Sequence, residues 1–202
     1  MNAPKDVDKV FRVFRAHYVP IPLEVFKSPY EIFVSTLLSS RTNDDTTLIV
    51  CKKLFGVVPD IQKLSTINAD RLAKLIYPVG FYKTKAKNLK MSSEIIIDRF
   101  NGKIPRKRSD LLGLPGVGIK TANLVLNRAF DISAISVDTH VHRITNLLGW
   151  VNTKTPEKTL IELENILPQK YWKDTNRLFV SIGRQYTSKK KLVEFLKENK
   201  LI

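Results

Sequence analysis

The residues of this chain best suited to chemistry lie in two short segments. Leu111-Leu112-Gly113-Leu114-Pro115-Gly116-Val117-Gly118-Ile119-Lys120-Thr121-Ala122-Asn123 joins two helical stretches through a turn, and Ser136-Val137-Asp138-Thr139-His140-Val141-His142-Arg143 follows it. In the first segment Pro115 stops a helix and Gly116 and Gly118 permit a tight turn. Ile119, Ala122, Val125, Leu126 and Ala129 then restart helical spacing. A turn through Gly116, Val117 and Gly118 presents bare backbone amides at a helix N-terminus. There the positive end of the helix dipole favours a phosphate and grips a nucleic-acid backbone without reading bases. Lys120 adds an amine in the next turn, and Asp138 adds a carboxylate. Taken alone, such a lysine is ordinarily solvated, and an aspartate before Thr139 is ordinarily a helix cap.

The combination is more specific. Leu-Pro-Gly-Val-Gly followed by Lys-Thr-Ala-Asn resembles the helix-hairpin-helix of the endonuclease III family of DNA repair enzymes. The segment from Ser136 to Arg143 resembles that family's catalytic Val-Asp-Thr-His, and the spacing between Lys120 and Asp138 fits. Weaker matches at Leu37-Leu38-Ser39, Gly80-Phe81-Tyr82, Asn101-Gly102-Lys103-Ile104-Pro105 and Gly183-Arg184 carry the resemblance across most of the chain. It implies that Lys120 is the nucleophilic lysine and Asp138 the catalytic aspartate. The activity so implied is a base-excision repair DNA glycosylase with abasic-site lyase activity, acting on oxidised pyrimidines such as thymine glycol. The partner so implied is double-stranded DNA containing a damaged base or abasic site, bound by a monomer.

The chemistry suits these residue types. An amine can attack the anomeric carbon of a nucleotide as the base departs, giving a Schiff base that permits β-elimination. With an ordinary lysine pKa near 10.4, only about one amine in 2,500 is neutral at pH 7, so the site must favour the neutral form. A helix N-terminus disfavours a cation by about 0.3–1 kcal/mol and burial under DNA adds to this, whereas a nearby carboxylate opposes it. The main benefit of Asp138 is therefore expected on the positive charge that develops on the sugar and on the proton the amine must lose.

Extruding a base from a duplex calls for side chains to occupy or wedge the gap. By resemblance, Arg41 stands where family members place a polar side chain, typically glutamine, and Phe81 where they place an apolar wedge. The ordinary alternatives are a surface arginine and a core phenylalanine. Lys83, Lys85 and Lys87 crowd the start of the following helix and are expected on phosphates or on a solvated face. His140 and Arg143 are assigned to the DNA interface. His140 and His142 fit packing or capping equally well, and neither is assigned a metal.

Endonuclease III typically carries four C-terminal cysteines that bind a 4Fe–4S cluster. Here the matching stretch reads Thr187-Ser188-Lys189-Lys190-Lys191, and the chain's one cysteine, Cys51, lies far upstream. No iron–sulfur cluster or other cofactor is expected. One cysteine also excludes an internal disulfide framework and a multi-thiolate zinc site.

The elements that must position these residues read as all-α, with no sustained period-two run to suggest a sheet. Helical spacing is found near 31–39, 43–55, 68–76, 84–100, 109–113, 119–130, 139–148, 155–166, 174–186 and 190–199, with Asn43, Thr84, Ser109 and Thr155 as candidate N-caps. The resemblance implies a two-lobed helix-hairpin-helix glycosylase fold with a DNA-binding cleft between the lobes. Residues 25–135 are expected to form a central helical domain, with the hairpin at about 109–130. Residues 1–24 and 136–202 are expected to form a second lobe.

Lys and Arg total 34 against 19 Asp and Glu, a formal charge of +15 that favours a polyanionic partner. No apolar stretch approaches bilayer length and no signal-peptide pattern opens the chain, so an intracellular setting is expected, in cytoplasm and nucleoid or in a nucleus. Other readings are a mismatch uracil or thymine glycosylase using water, an oxidised-guanine glycosylase, and a DNA-binding module that uses the hairpin only for phosphates. The presence of Lys120 together with Asp138 counts against the first and the last.

Overall fold

The computed structural model describes residues 3–202; residues 1 and 2, assigned above to the terminal lobe, lie outside the described residues. In chain order, α1 (Val7–Ala16) is followed by α2 (Pro29–Ser39), α3 (Asp44–Val57), α4 (Ile61–Thr66), α5 (Ala69–Ile76), α6 (Tyr82–Phe100), α7 (Arg108–Leu112) and α8 (Ile119–Phe130). Then come α9 (Thr139–Leu147), α10 (Pro156–Ile166), α11 (Trp172–Gln185) and α12 (Lys189–Glu198). The fold is all-α, and among the described residues there is no strand. The chain divides into two compact units, one running from Pro22 to Ile132 and the other formed by the described residues up to Ile21 with Ser133–Ile202.

The Pro22–Ile132 unit is organised by α2, which is buried from Ile32 through Leu38. A helix apolar on nearly every side must be covered on every side, and α8 and α3 supply part of that cover while α6 packs on α4 and α5. Ser28 starts α2 with a reciprocal capping box: its hydroxyl accepts from the Glu31 amide while the Glu31 carboxylate accepts from the Ser28 amide. Asn43, Asn68 and Asp60 cap α3, α5 and α4 through side-chain oxygens.

In the unit formed by the two ends, α1 inserts Val7, Val10, Phe11 and Phe14 into a core shared with α9–α12. Phe11 stacks on Tyr171 with ring centroids 4.2 Å apart, and Phe14 meets Phe179 edge-on at 4.9 Å. Leu192, Phe195 and Leu196 bring α12 into the same core.

Most helices fall where hydrophobic spacing puts them, but α1 and α4 were not among the expected ones. Two expected caps are also displaced. Thr84 lies inside α6, because Phe81 adopts a left-handed backbone (φ 58) and starts the helix earlier. Ser109 lies inside α7, which begins after Lys107. No helix among the described residues is long and apolar enough to cross a membrane.

Candidate active site

The hairpin is built from the end of α7 to the start of α8 and is braced from below by α6. Leu114 is buried, its amide donates to Leu111 and its carbonyl accepts from the Val117 amide at 3.1 Å. Ser92 of α6 donates its hydroxyl to the Pro115 carbonyl at 3.1 Å. Gly116 has a left-handed backbone (φ 78), and a Cβ there would lie 2.6 Å from the Asn88 amide nitrogen, so both conformation and space require glycine.

Gly118 differs. A Cβ on it would meet nothing within 4 Å, and its φ of −90 suits any residue. Its lack of a side chain leaves the N-terminus of α8 bare on the outside of the protein. Val117 does not share this role, since its side chain is buried and its amide closes the turn. The expectation that Val117 offers an amide to phosphate is thus corrected, since that amide is already bonded to the Leu114 carbonyl. Lys120 is the second residue of that helix and is exposed.

In the same unit the α2–α3 turn and the turn before α6 each carry a non-glycine residue in the left-handed region, Arg41 (φ 53) and Phe81 (φ 58). Such backbones are costly for side chains bearing Cβ and concentrate at functional positions. Phe81 is 60% exposed and therefore not core. The Arg41 guanidinium lies 5.5 Å from the centre of its ring. Lys83 is exposed and lines, with Lys74, Lys87, Tyr82 and Met91, an open groove of about 830 Å³ between α5 and α6.

Lys85 is not at the surface. It is only 7% exposed, and its ammonium donates to the carbonyls of Leu38 (2.8 Å) and Ser40 and to the Thr42 hydroxyl (3.2 Å). The assignment of Lys85 to a DNA phosphate is therefore withdrawn: its donors are already taken by the α2–α3 turn. Burial lowers its pKa to about 8.

In the other unit, Asp138 is the N-cap of α9. Its Oδ1 accepts from the amides of His140 and Val141, both at 2.9 Å, while the residue remains half-buried. The segment entering the cap is pinned, since Ser136 and Val137 are buried and the Asn176 side chain donates to the Ser136 carbonyl at 3.2 Å. With Oδ1 committed to the cap, the carboxylate direction is fixed by the backbone, and the cap makes no use of Oδ2. The capping and catalytic readings of Asp138 are thus compatible.

His140 packs its ring against Gly183 of α11. His142 pairs its Nδ1 with the Thr159 hydroxyl at 2.6 Å, next to Asn146. Arg143 is a third correction. Its Nη1 donates to the Thr187 carbonyl (2.7 Å) and its Nη2 to those of Gly183 (3.3 Å) and Tyr186 (3.2 Å). The guanidinium closes the end of α11, where carbonyls lack helical partners, and is not presented to DNA. Among the described residues no group of His, Cys, Asp and Glu is arranged to hold a metal ion.

Sequence reasoning missed the residues that support the site from behind, Thr42, Asn88 and Ser92. A signal for two of them exists: Phe81, Lys85, Asn88 and Ser92 fall at helical spacing along one face of α6.

Residues 34–169 match the family described as HhH-GPD superfamily base excision DNA repair protein. Endonuclease III of Thermotoga maritima is 43% identical over 157 residues, covering 78% of this chain and 74% of that protein. The mouse endonuclease III-like protein 1 is 42% identical over 159 residues, 77% of this chain; the aligned region spans only 53% of the mouse protein. A solved structure of a non-covalent endonuclease III–DNA complex superposes with a TM-score of 0.83 at 30% identity, over 96% of this chain and 92% of that one. With the hairpin, the amine after it and the capped aspartate in place, the chain belongs to the endonuclease III family of the HhH-GPD base-excision DNA repair superfamily.

Proposed function

We propose that in this base-excision DNA glycosylase and abasic-site lyase Lys120 is the nucleophile, Asp138 the catalytic carboxylate, and oxidised pyrimidines in double-stranded DNA the substrates. The neutral Lys120 amine forms a bond to C1′ while the C1′–N bond breaks, and the departing base takes the electron pair and a proton. The resulting aminal sheds a proton from nitrogen to Asp138, and its C1′–O4′ bond opens, O4′ taking up a proton, to give the protonated Schiff base; this loses a C2′ proton, and the electrons expel the 3′ phosphate, after which water releases the amine. Asp138 stabilises the positive charge on the sugar and accepts the proton that the amine sheds. Gly116, Gly118 and the first amides of α8 hold a backbone phosphate, while Arg41 and Phe81 engage the opposite strand and Lys83 and His140 lie along the DNA. The protein acts as a monomer inside the cell.

The observation that carries this reading is Lys120 exposed in the first turn of α8, two residues after Gly118, around which the space is open. Phosphate grip and nucleophile thus belong to one helix end.

The reaction runs without an iron–sulfur cluster. The segment that would supply thiolates instead has Ser188, whose hydroxyl caps α12 by accepting from the Lys191 amide at 3.2 Å, and Tyr186 stacked on Phe195 at 4.3 Å. Cys51, the chain's one cysteine, is buried in α3 and cannot by itself supply the four thiolates. The donor set does not fit such a cluster.

Borohydride trapping on duplexes bearing thymine glycol, uracil opposite guanine, oxidised guanine or an abasic site tests the proposal. A covalent adduct on thymine glycol and abasic duplexes that disappears in Lys120→Gln is expected. Absence of an adduct on every duplex would overturn it.

A further inference from the structure

The exposed Arg41–Phe81 pair stands on two turns that have no helix or sheet of their own to fix them. Both residues hold left-handed backbones, and the guanidinium lies over the ring. Beneath the pair a compact polar knot ties the turns together. Lys85 donates to Leu38 O, Ser40 O and Thr42 Oγ1, oxygens that bracket Arg41 in sequence. The same Thr42 hydroxyl accepts from the Gly80 amide at 3.1 Å, next to Phe81. Gly80 is pressed so close that a Cβ would lie 2.7 Å from the Arg41 carbonyl. Lys85 itself begins in the first turn after Phe81, its amide donating to the Phe81 carbonyl at 2.9 Å.

The chemistry of the knot is particular to lysine. Three oxygens converge on one point, and an ammonium is the side-chain group with three donors on a single atom. Leu38 lies in the last turn of α2, where orphan carbonyls and the negative end of the dipole favour a cation. Arginine would bring a planar fork too large for a buried point site, and methionine would leave the oxygens unpaired.

We infer that Lys85 is a positioning residue that locks the Arg41 turn to the Phe81 turn, so that the two side chains enter the opposite strand as one preset unit. The inference rests on the proposed reading of Arg41 and Phe81 as the residues that engage that strand. Lys85 then governs how the enzyme senses the base opposite the lesion, without touching DNA and without a part in the Lys120 chemistry.

The test compares wild type, Lys85→Met, Lys85→Arg, Arg41→Ala and the Arg41→Ala/Lys85→Met double variant. Abasic-site cleavage is measured in duplexes with each of the four opposite bases, and in a single strand. Loss of Lys85 should lower duplex kcat/KM by about tenfold and narrow the spread among opposite bases, with Lys85→Arg failing to rescue. Single-strand cleavage should stay within about twofold of wild type, and the double variant should show no narrower a spread than Arg41→Ala alone. Equal losses on duplex and single strand, or a wild-type spread in Lys85→Met, would overturn the inference. Thr42→Val, which removes the hydroxyl shared by Lys85 and Gly80, carries the same comparison if Lys85→Met does not fold. Fluorescence of 2-aminopurine opposite a tetrahydrofuran abasic analogue reads the pair without any chemistry. A wild-type signal that Lys85→Met loses supports the inference even if Lys120 proves not to be the nucleophile, and an unchanged signal overturns it.

Discussion

The imidazole of His140 occupies the space over Gly183 so closely that a Cβ on that glycine would lie 2.2 Å from Nδ1. Because His140 donates its amide to Asp138, the contact links α11 to the cap that aims the carboxylate. Gly183→Ala should therefore push the ring away, destabilise the protein by about 1–3 kcal/mol and lower cleavage. Urea unfolding midpoints alongside single-turnover cleavage check this, and a neutral effect on both would contradict the packing.

Asp138 serves as cap and proposed catalyst, and substitution can separate the two. Asn is as good an N-cap as Asp, so Asp138→Asn should unfold within about 0.5 kcal/mol of wild type, whereas Asp138→Ala should cost about 1 kcal/mol. Both should lose about a hundredfold or more in base excision. Full activity in Asp138→Asn would sink the catalytic assignment while leaving the cap intact.

The two hairpin glycines should respond in opposite ways. Gly116→Ala meets both a left-handed backbone and Asn88, so it should destabilise by more than 1 kcal/mol, on the order of the cost of forcing a Cβ into that region. Gly118→Ala should leave stability unchanged and weaken DNA binding, because its added methyl lies where phosphate would approach. Filter-binding titrations at several salt concentrations and thermal melts distinguish them; a destabilised Gly118→Ala would show that its space is not open.

Alkaline stability follows from two buried groups in the Pro22–Ile132 unit. Burial raises the Cys51 thiol to about 12 from an ordinary 9.0, and raises the Tyr30 hydroxyl above its ordinary 10.0 while it donates to the Val58 carbonyl at 2.7 Å. A raised folded pKa means that the unfolded chain loses its proton first. The stabilisation is complete below pH 9 and erodes as pH rises from 9 to 12, by up to about 1.4 kcal/mol per pH unit for each group. Lys85 acts with the opposite sign: its lowered pKa makes the folded form gain relative stability between pH 8 and 10.5. Unfolding midpoints from pH 8 to 11 should fall less steeply for Cys51→Ala than for wild type. A slope unchanged by that substitution would refute the contribution.

Much of this was legible in the sequence, and the misses have physical reasons. Helix α8 is read to its ends because Gly118 and the spacing from Ile119 onward mark them. The helix at Val7–Ala16 lies outside the expected set, although Val7, Val10, Phe11 and Phe14 make a clear apolar stripe. Lys85 and Arg143 depart from the surface placement expected of cations for one reason: each sends its charge to backbone carbonyls that a helix end leaves without partners. Position corrects the first case, since Lys85 shares the buried register of Leu89, Ser92 and Ile96. Nothing local reveals the second, because the carbonyls that Arg143 meets lie some forty residues away in sequence.

The sealing of Cys51 inside α3 has a practical side. With one native sulfhydryl and none of it exposed, the wild-type chain is already a blank background for spectroscopy. A dye placed on a cysteine introduced at an exposed position away from the hairpin would carry the whole signal and could report DNA binding.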